Sequence, residues 1–299
     1  MSESPAPAID PAALRKVLHR QALAEQPPWL HQEIARRMAE RLQVIRQAPA
    51  NWLDWWAFTG AGAQAVQAIW PQAVRQAVEP DAALQARSQA QQKAPWWAWG
   101  ARREAGSRAV LLDAQVPPGQ ASMLWANLVL HAAPDPQTQL ARWHRALAVD
   151  GFLMFSTFGP DTLRELREVY AQAPWPAPHP PFVDMHDLGD MMVQGGFADP
   201  VMDQETLTLT WSSPQALLAE LKSLGGHLGP DRFAGLRGRQ WLAQLHQALR
   251  ARADAQGRIS MRFEVVYGHA YKPAPRAPRG ELATVSLESL RAKLPKRET

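Results

Sequence analysis

Apolar positions recur at three- and four-residue spacing between residues 11 and 47: Leu14, Val17 and Leu18, then Leu30, Ile34, Met38, Leu42 and Ile45. This spacing predicts helix, and Pro27-Pro28 divides it in two. Glu33, Arg36, Arg37, Glu40 and Arg41 give the second helix a charged outer face. Pro49 and Asn51 end the pattern. Trp52-Leu53-Asp54-Trp55-Trp56 then reads as a short apolar strand, Thr59-Gly60-Ala61-Gly62 as a turn, and Ala63 to Trp70 as helix. Strand, glycine turn and helix in that order open a doubly wound α/β unit.

The alternation continues. Ala73 to Val78 reads as a strand ending at Glu79, followed by a helix from Ala82 to Gln92. Residues 94–107 read as loop, Arg108 to Leu112 as a strand ending at Asp113, and Met123 to Leu130 as an apolar strand broken by Asn127. Residues 136–148 form an amphipathic helix, and Gly151 to Phe155 a central strand. That strand enters a polar turn in which Asp161 is expected to cap a helix starting at Thr162. After a Pro-rich loop at 171–183 and a short helix from Leu188 to Val193, Glu205 to Trp211 alternates as a half-exposed strand does. Residues 214–256 are helical and basic, and Met261 to Tyr267 returns to strand. The expectation is an α/β fold with a helical insert before its last strand, placed either to cover an active site or to add stability.

Composition narrows the function classes. A chain of 299 residues with 46% hydrophobic positions can form one large core. The expected division is a tail at 1–10, one domain at 11–273 and a second tail at 274–299. Within the domain, N-terminal helices occupy 11–48, the sheet core 49–211, the helical insert 212–258 and the final strand 259–273. Net charge is only +4, with the basic residues scattered, so nucleic acid is not the expected partner. Cysteine is absent, which removes thiolate catalysis and cysteine-bound metals. No apolar run reaches the length of a membrane span, so a cytoplasmic protein is expected. Thirteen Trp is a high count, and Trp55-Trp56 and Trp96-Trp97 come as pairs.

Five segments carry a family resemblance. They are Glu33 to Leu42, Asn127-Leu-Val-Leu-His131, Leu153-Met-Phe-Ser-Thr-Phe-Gly-Pro-Asp-Thr-Leu-Arg164, His186 to Pro200, and Phe263-Glu-Val-Val-Tyr-Gly-His-Ala-Tyr-Lys-Pro273. Together they resemble the malonyl-acyl-carrier-protein O-methyltransferases of biotin synthesis, a branch of the S-adenosylmethionine-dependent class I methyltransferases. The resemblance implies a three-layer Rossmann-like fold with a seven-stranded, mostly parallel sheet whose last strand is antiparallel. It implies methyl transfer from S-adenosylmethionine to the free carboxylate of a malonyl thioester on acyl carrier protein, without metal.

The same resemblance places a cofactor loop at the first strand. Asp54 takes its acidic position, and three glycines are expected at Trp56, Phe58 and Gly60. Only Gly60 is retained. Glycine serves there because the backbone enters conformations a side chain disfavours and must approach the ligand without a Cβ. Two readings stay open. The aromatic rings fill the ligand's place, or the strand runs on to Phe58 and Gly60-Ala61-Gly62 is the working turn. Further cofactor candidates are Glu79 for the ribose hydroxyls, Asp113 for the adenine amine, and Asn127 near the methionine part. Asn127, His131 and Tyr267 are candidates for positioning the reaction; Ser156, Thr157, Phe158, His269, Arg232 and Arg237 are candidates for substrate binding. Arg232, Arg237 and Arg239 with Arg36, Arg37 and Arg41 suggest a surface for acidic acyl carrier protein, or simply a solvated face. His131, His186 and His269 match no zinc spacing. The expected cofactor is S-adenosylmethionine if the loop works, and none if it does not. In the second case the chain is an inactive paralog with a binding or regulatory role.

Overall fold

The computed structural model describes residues 9–92, 109–233 and 235–275. The pair Trp96-Trp97 lies outside them, as do residues 1–8 and 276–299. Two N-terminal helices, α1 (Pro11–Ala22) and α2 (Trp29–Arg41), follow the predicted periodicity on either side of Pro27-Pro28. The first residues before α1 are tied down rather than loose. Ile9 is buried, and Asp10 caps α1 by accepting from Ala12 N at 2.8 Å. Asp10 also donates its own amide to Leu228 O and pairs with Arg232.

The sheet begins with β1 (Asn51–Trp55), a one-turn helix α3 (Ala57–Gly60) and α4 (Ala63–Ile69). Next come β2 (Val74–Glu79), α5 (Ala82–Gln92), the two-residue β3 (Leu111–Leu112) and β4 (Ala121–Asn127). Helix α6 (Pro136–Ala146) leads into β5 (Leu147–Phe158), followed by α7 (Arg164–Gln172), α8 (Met185–Gln194) and β6 (Ala198–Trp211). Then α9 (Pro214–Ser223) and α10 (Arg239–Arg250) stand before β7 (Ile259–Tyr271). The strand order is β3-β2-β1-β4-β5-β7-β6, with β7 antiparallel to both neighbours and the described pairings from β3 to β5 parallel.

Each face of the sheet carries its own apolar core. One holds Val17 and Leu18 of α1, Leu84 of α5, Leu140 and Trp143 of α6 and Met192 of α8 against Leu53, Trp55, Leu124 and Leu153. The other holds Leu30, Ile34 and Met38 of α2, Val66 of α4, Leu166 of α7, Leu217 of α9 and Leu249 of α10 against Trp52, Met123 and Phe263. Both faces are covered, which is why the central strands are continuously apolar rather than alternating. Trp143 anchors the first core by edge contact with Trp55 at 6.4 Å and a tilted contact with Phe155 at 5.9 Å. Such pairs each add about 1 kcal/mol beyond the area they bury.

Three local expectations are corrected. The segment Thr59 to Gly62 is not an open turn, because Ala57–Gly60 closes into a helical turn between left-handed residues at Trp56 and Ala61. The fourth strand stops at Asn127 because Leu128 adopts φ +53°. Asp161 does not cap α7. The helix starts at Arg164 after a left-handed Leu163, Thr162 Oγ1 donates to Glu264 O at 2.9 Å, and Asp161 N donates to Glu264 Oε2 at 2.6 Å. The contact with β7 replaces the local cap.

Candidate active site

Binding sites of open α/β sheets lie at the carboxyl ends of the parallel strands, where the strand order reverses. Here that place lies beyond the ends of β1 and β4 and is flanked by β5. A small, largely apolar cavity of about 110 Å³, partly open to solvent, lies at this mouth. Leu14, Val17 and Leu18 of α1 line one wall; Phe158, Pro178, Phe182 and Phe263 line another; Leu221, Leu224 and Leu228 form a cover from the insert. Among the described lining residues there is no Lys, Arg, Asp or Glu.

Three of the polar residues lining this cavity are histidines, held neutral. His31 projects from α2, and its Nδ1 is 2.8 Å from Thr59 O. A carbonyl only accepts, so Nδ1 carries the proton and Nε2 is left as an acceptor. That Nε2 is buried with no partner among the described residues. Burial holds the ring's pKa down to about 4. His131 packs on Phe158 at 4.7 Å and Phe182 at 6.0 Å, and burial lowers its pKa to about 3. His179 stacks on Phe182 at 4.8 Å and is likewise lowered by burial, to about 4. Desolvation penalises the imidazolium in each case.

The turn after β1 closes one side. Trp56 takes φ +55°, a conformation glycine adopts without cost and tryptophan adopts only under constraint. β1 ends at Trp55, so the register in which the strand runs on to Phe58 does not hold. Trp56 Nε1 donates to Asp113 Oδ2 at 3.4 Å, a long contact. Phe58 N donates to Glu79 Oε1 at 2.8 Å, and Ser88 Oγ donates to the same oxygen at 2.5 Å. The Arg87 guanidinium lies 4.1 Å from the Phe58 ring centre and is itself held by Ala22 O and Glu25 O. Desolvation raises the Glu79 carboxyl to about 7, partly offset by Ser88 and the Phe58 amide. Burial raises Asp113 to about 7 as well.

Of the residues expected to hold a cofactor, the cavity touches Trp56 and none of Asp54, Gly60, Gly62, Glu79, Asp113 or Asn127. Asp54 pairs with Arg75 of β2 at 2.7 Å. A Cβ on Gly60 would lie 3.4 Å from Trp55 O, and one on Gly62 only 2.2 Å from the Trp125 indole nitrogen. These glycines admit neighbouring protein. Asn127 Nδ2 donates to His31 O and Gly60 O, both at 2.8 Å, while its Oδ1 accepts from Ser156 Oγ at 2.6 Å. Its amide joins α2, the turn and β5. The turn therefore differs from a glycine-rich cradle: aromatic rings stand at two of the expected glycine positions and Glu79 Oε1 is engaged, while Glu79 Oε2 and Asp113 Oδ1 are buried without a partner among the described residues.

Several substrate candidates lie elsewhere. Phe158 lines the cavity, but Ser156 and Thr157 do not. Tyr267 faces α2 instead; its hydroxyl donates to Glu205 at 2.5 Å beneath the Arg41 guanidinium, and burial together with Glu205 pushes the phenol's pKa up against the opposing pull of Arg41. His269 pairs in register with Met154, well back from the mouth, between the rings of Phe152 and Tyr271. Arg232 binds Asp10, and Arg237 stacks on Trp241 at 4.2 Å. Arg36 and Arg37 pair with Glu33, and Arg41 with Asp203. These pairings use much of the basic surface expected for an acidic partner. His31, Thr59, His179 and Phe182 were missed. His31 alone left a sequence signal, as a polar residue beside Leu30 on the apolar stripe of α2.

The sheet order and the antiparallel β7 define a class I methyltransferase fold. The YcgJ protein of Bacillus subtilis shares it, with a TM-score of 0.51 at 13% identity over 80% of this chain and 98% of that one. No family model matches the chain. Curated relatives are more specific. A malonyl-acyl-carrier-protein O-methyltransferase of Laribacter hongkongensis is 42% identical over 262 residues, covering 85% of this chain and 86% of the relative. One of Gallionella capsiferriformans is 36% identical over 282 residues, covering 93% and 96%. The chain belongs to the malonyl-acyl-carrier-protein O-methyltransferase family.

Proposed function

We propose that the protein acts in biotin synthesis, in the cytoplasm, as an O-methyltransferase of the malonyl thioester carried on acyl carrier protein. The observation that carries this reading is the mouth cavity, largely apolar and with no Lys, Arg, Asp or Glu among its described lining residues, in a chain of that family. The acyl arm enters between the insert and the Pro-rich loop. Phe158, Phe182, Leu221 and Leu224 exclude water around it, and His31 Nε2 offers one polar contact at the inner wall. A carboxylate is already a nucleophile, so the residues are asked for alignment rather than for a general base.

The test is incubation of the full-length protein with malonyl-acyl carrier protein and S-adenosylmethionine, followed by intact-mass analysis of the carrier. Gain of one methyl group is expected. A carrier that stays unmethylated even at equimolar protein overturns the reading.

The packing of Trp56 and Phe58 favours a second reading, in which the protein binds the acylated carrier without methylating it. Carrier binding without a methyl product would establish that one.

A further inference from the structure

We infer that Trp56 and Phe58 form an intramolecular plug that occupies the chain's own cofactor cradle and excludes S-adenosylmethionine from it. The inference rests on the family placement, and because a protein that excludes the methyl donor cannot methylate, it stands with the second reading above, in which the acylated carrier is bound without methylation.

Three observations converge. The backbone at Trp56 keeps the left-handed conformation of a glycine turn, so the loop retains the cradle's path while carrying a large ring. Both rings are nearly inaccessible, at 8% and 5%, and belong to the core that contains Leu18, Leu84 and Val129. The two carboxylates at the ends of the neighbouring strands, Glu79 and Asp113, are engaged by this same turn through Phe58 N and Trp56 Nε1.

The partners replace those of a bound nucleoside. A ribose diol would donate to an acid in the position of Glu79; here Phe58 N and Ser88 Oγ donate to it. An adenine amine would donate to an acid in the position of Asp113; here an indole N–H does. Arg87 covers the outer face of Phe58. The turn engages one oxygen of each acid and leaves Glu79 Oε2 and Asp113 Oδ1 without a partner among the described residues; a ligand reaching them would have to displace two buried aromatic rings. Re-exposing buried rings of this size is enough to suppress nucleoside affinity by orders of magnitude.

The experiment is isothermal titration of the full-length protein, and of Trp56→Gly, Phe58→Gly and the double variant, with S-adenosylhomocysteine. Melting curves establish which variants are folded, and Phe58→Ala stands in if the double variant is not. Heat absent or weak with the wild type, and affinity raised roughly tenfold or more in a folded variant, is the expected result. Tight micromolar binding by the wild type would overturn the plug and leave the methyltransferase reading standing. Absence of gain in every folded variant would overturn it too, because the rings would then not be what excludes the ligand. The methylation assay on malonyl-acyl carrier protein reads the proposed activity separately.

Discussion

The backbone amide of Phe58 donates to the buried carboxyl of Glu79 at 2.8 Å, joining the turn after β1 to the end of β2. That bond makes the acid a structural partner of the turn. Its consequences reach the pH dependence of the fold.

Glu79 and Asp113 are both raised to about 7 by burial, above their ordinary values near 4.5 and 3.8. The folded state therefore holds their protons longer than the unfolded chain does. Stability from these groups is full below about pH 4 and is lost as pH rises toward 7. His31 and His131 act in the opposite sense, being lowered to about 4 and 3, and add stability as pH rises to about 6.5. The two sets oppose each other at mildly acidic pH, and above about 6.5 only the acids still titrate. Melting temperature is expected to fall between about pH 6.5 and 7.5 in the wild type and to fall less in Glu79→Gln. An equal slope in the variant would show that Glu79 does not carry the effect.

Asn127 satisfies three separate groups at once. Asn127→Ala leaves His31 O, Gly60 O and Ser156 Oγ to find new partners in a buried place. The expected cost is about 3 kcal/mol, read from urea unfolding. A loss under about 1 kcal/mol would mean the site relaxes or takes in water.

The buried pair Arg75–Asp54 predicts an asymmetry. Arg75→Met strands a carboxylate that is fully inaccessible, at 0%. It should destabilise by about 3 kcal/mol. Adding Asp54→Asn should restore part of that loss, which a double-mutant cycle in urea would measure.

Among the described residues lining the cavity there is no fixed cation to meet a malonyl carboxylate, and His31 presents an acceptor without a partner among them to the buried interior. An entering carboxylate should raise the pKa of His31, so binding of malonyl-acyl carrier protein near pH 6 should take up a proton. Titration in two buffers of different ionisation heat would show it. Binding of the methyl ester, or by His31→Gln, should take up less.

Gly62 packs against the Trp125 indole with no room for a methyl group. Gly62→Ala should cost about 1–3 kcal/mol through overpacking. Its backbone φ of −79° rules out a conformational explanation. Thermal melting of the variant beside Gly119→Ala, where left-handed backbone at φ +65° is the cost and space is open, separates the two mechanisms.

The element pattern was legible along most of the chain because periodicity depends on which residues face a core, and both faces of this sheet are covered. The α2 stripe, the helix from Ala82 to Gln92 and the strands around Leu53, Leu124 and Leu153 all follow from local spacing. The family resemblance also pointed to Trp56 and Phe58 as positions where a cofactor turn is expected to carry glycine. What the sequence left open was which residues meet. Tyr267 and His269 lie two residues apart on β7, yet one sits beneath Arg41 and the other between Phe152 and Tyr271. The antiparallel register, opposing Ser156 to Tyr267 and Met154 to His269, decided that. His31 reached the cavity because α2 packs across the end of β4, where Asn127 binds its carbonyl. Asp161 lost its cap because Glu264, far along the chain, binds its amide. Local propensity is a property of neighbours in sequence. The cavity, the neutral histidines and the engagement of Glu79 arise from long-range packing, and only the tertiary structure brings those groups together.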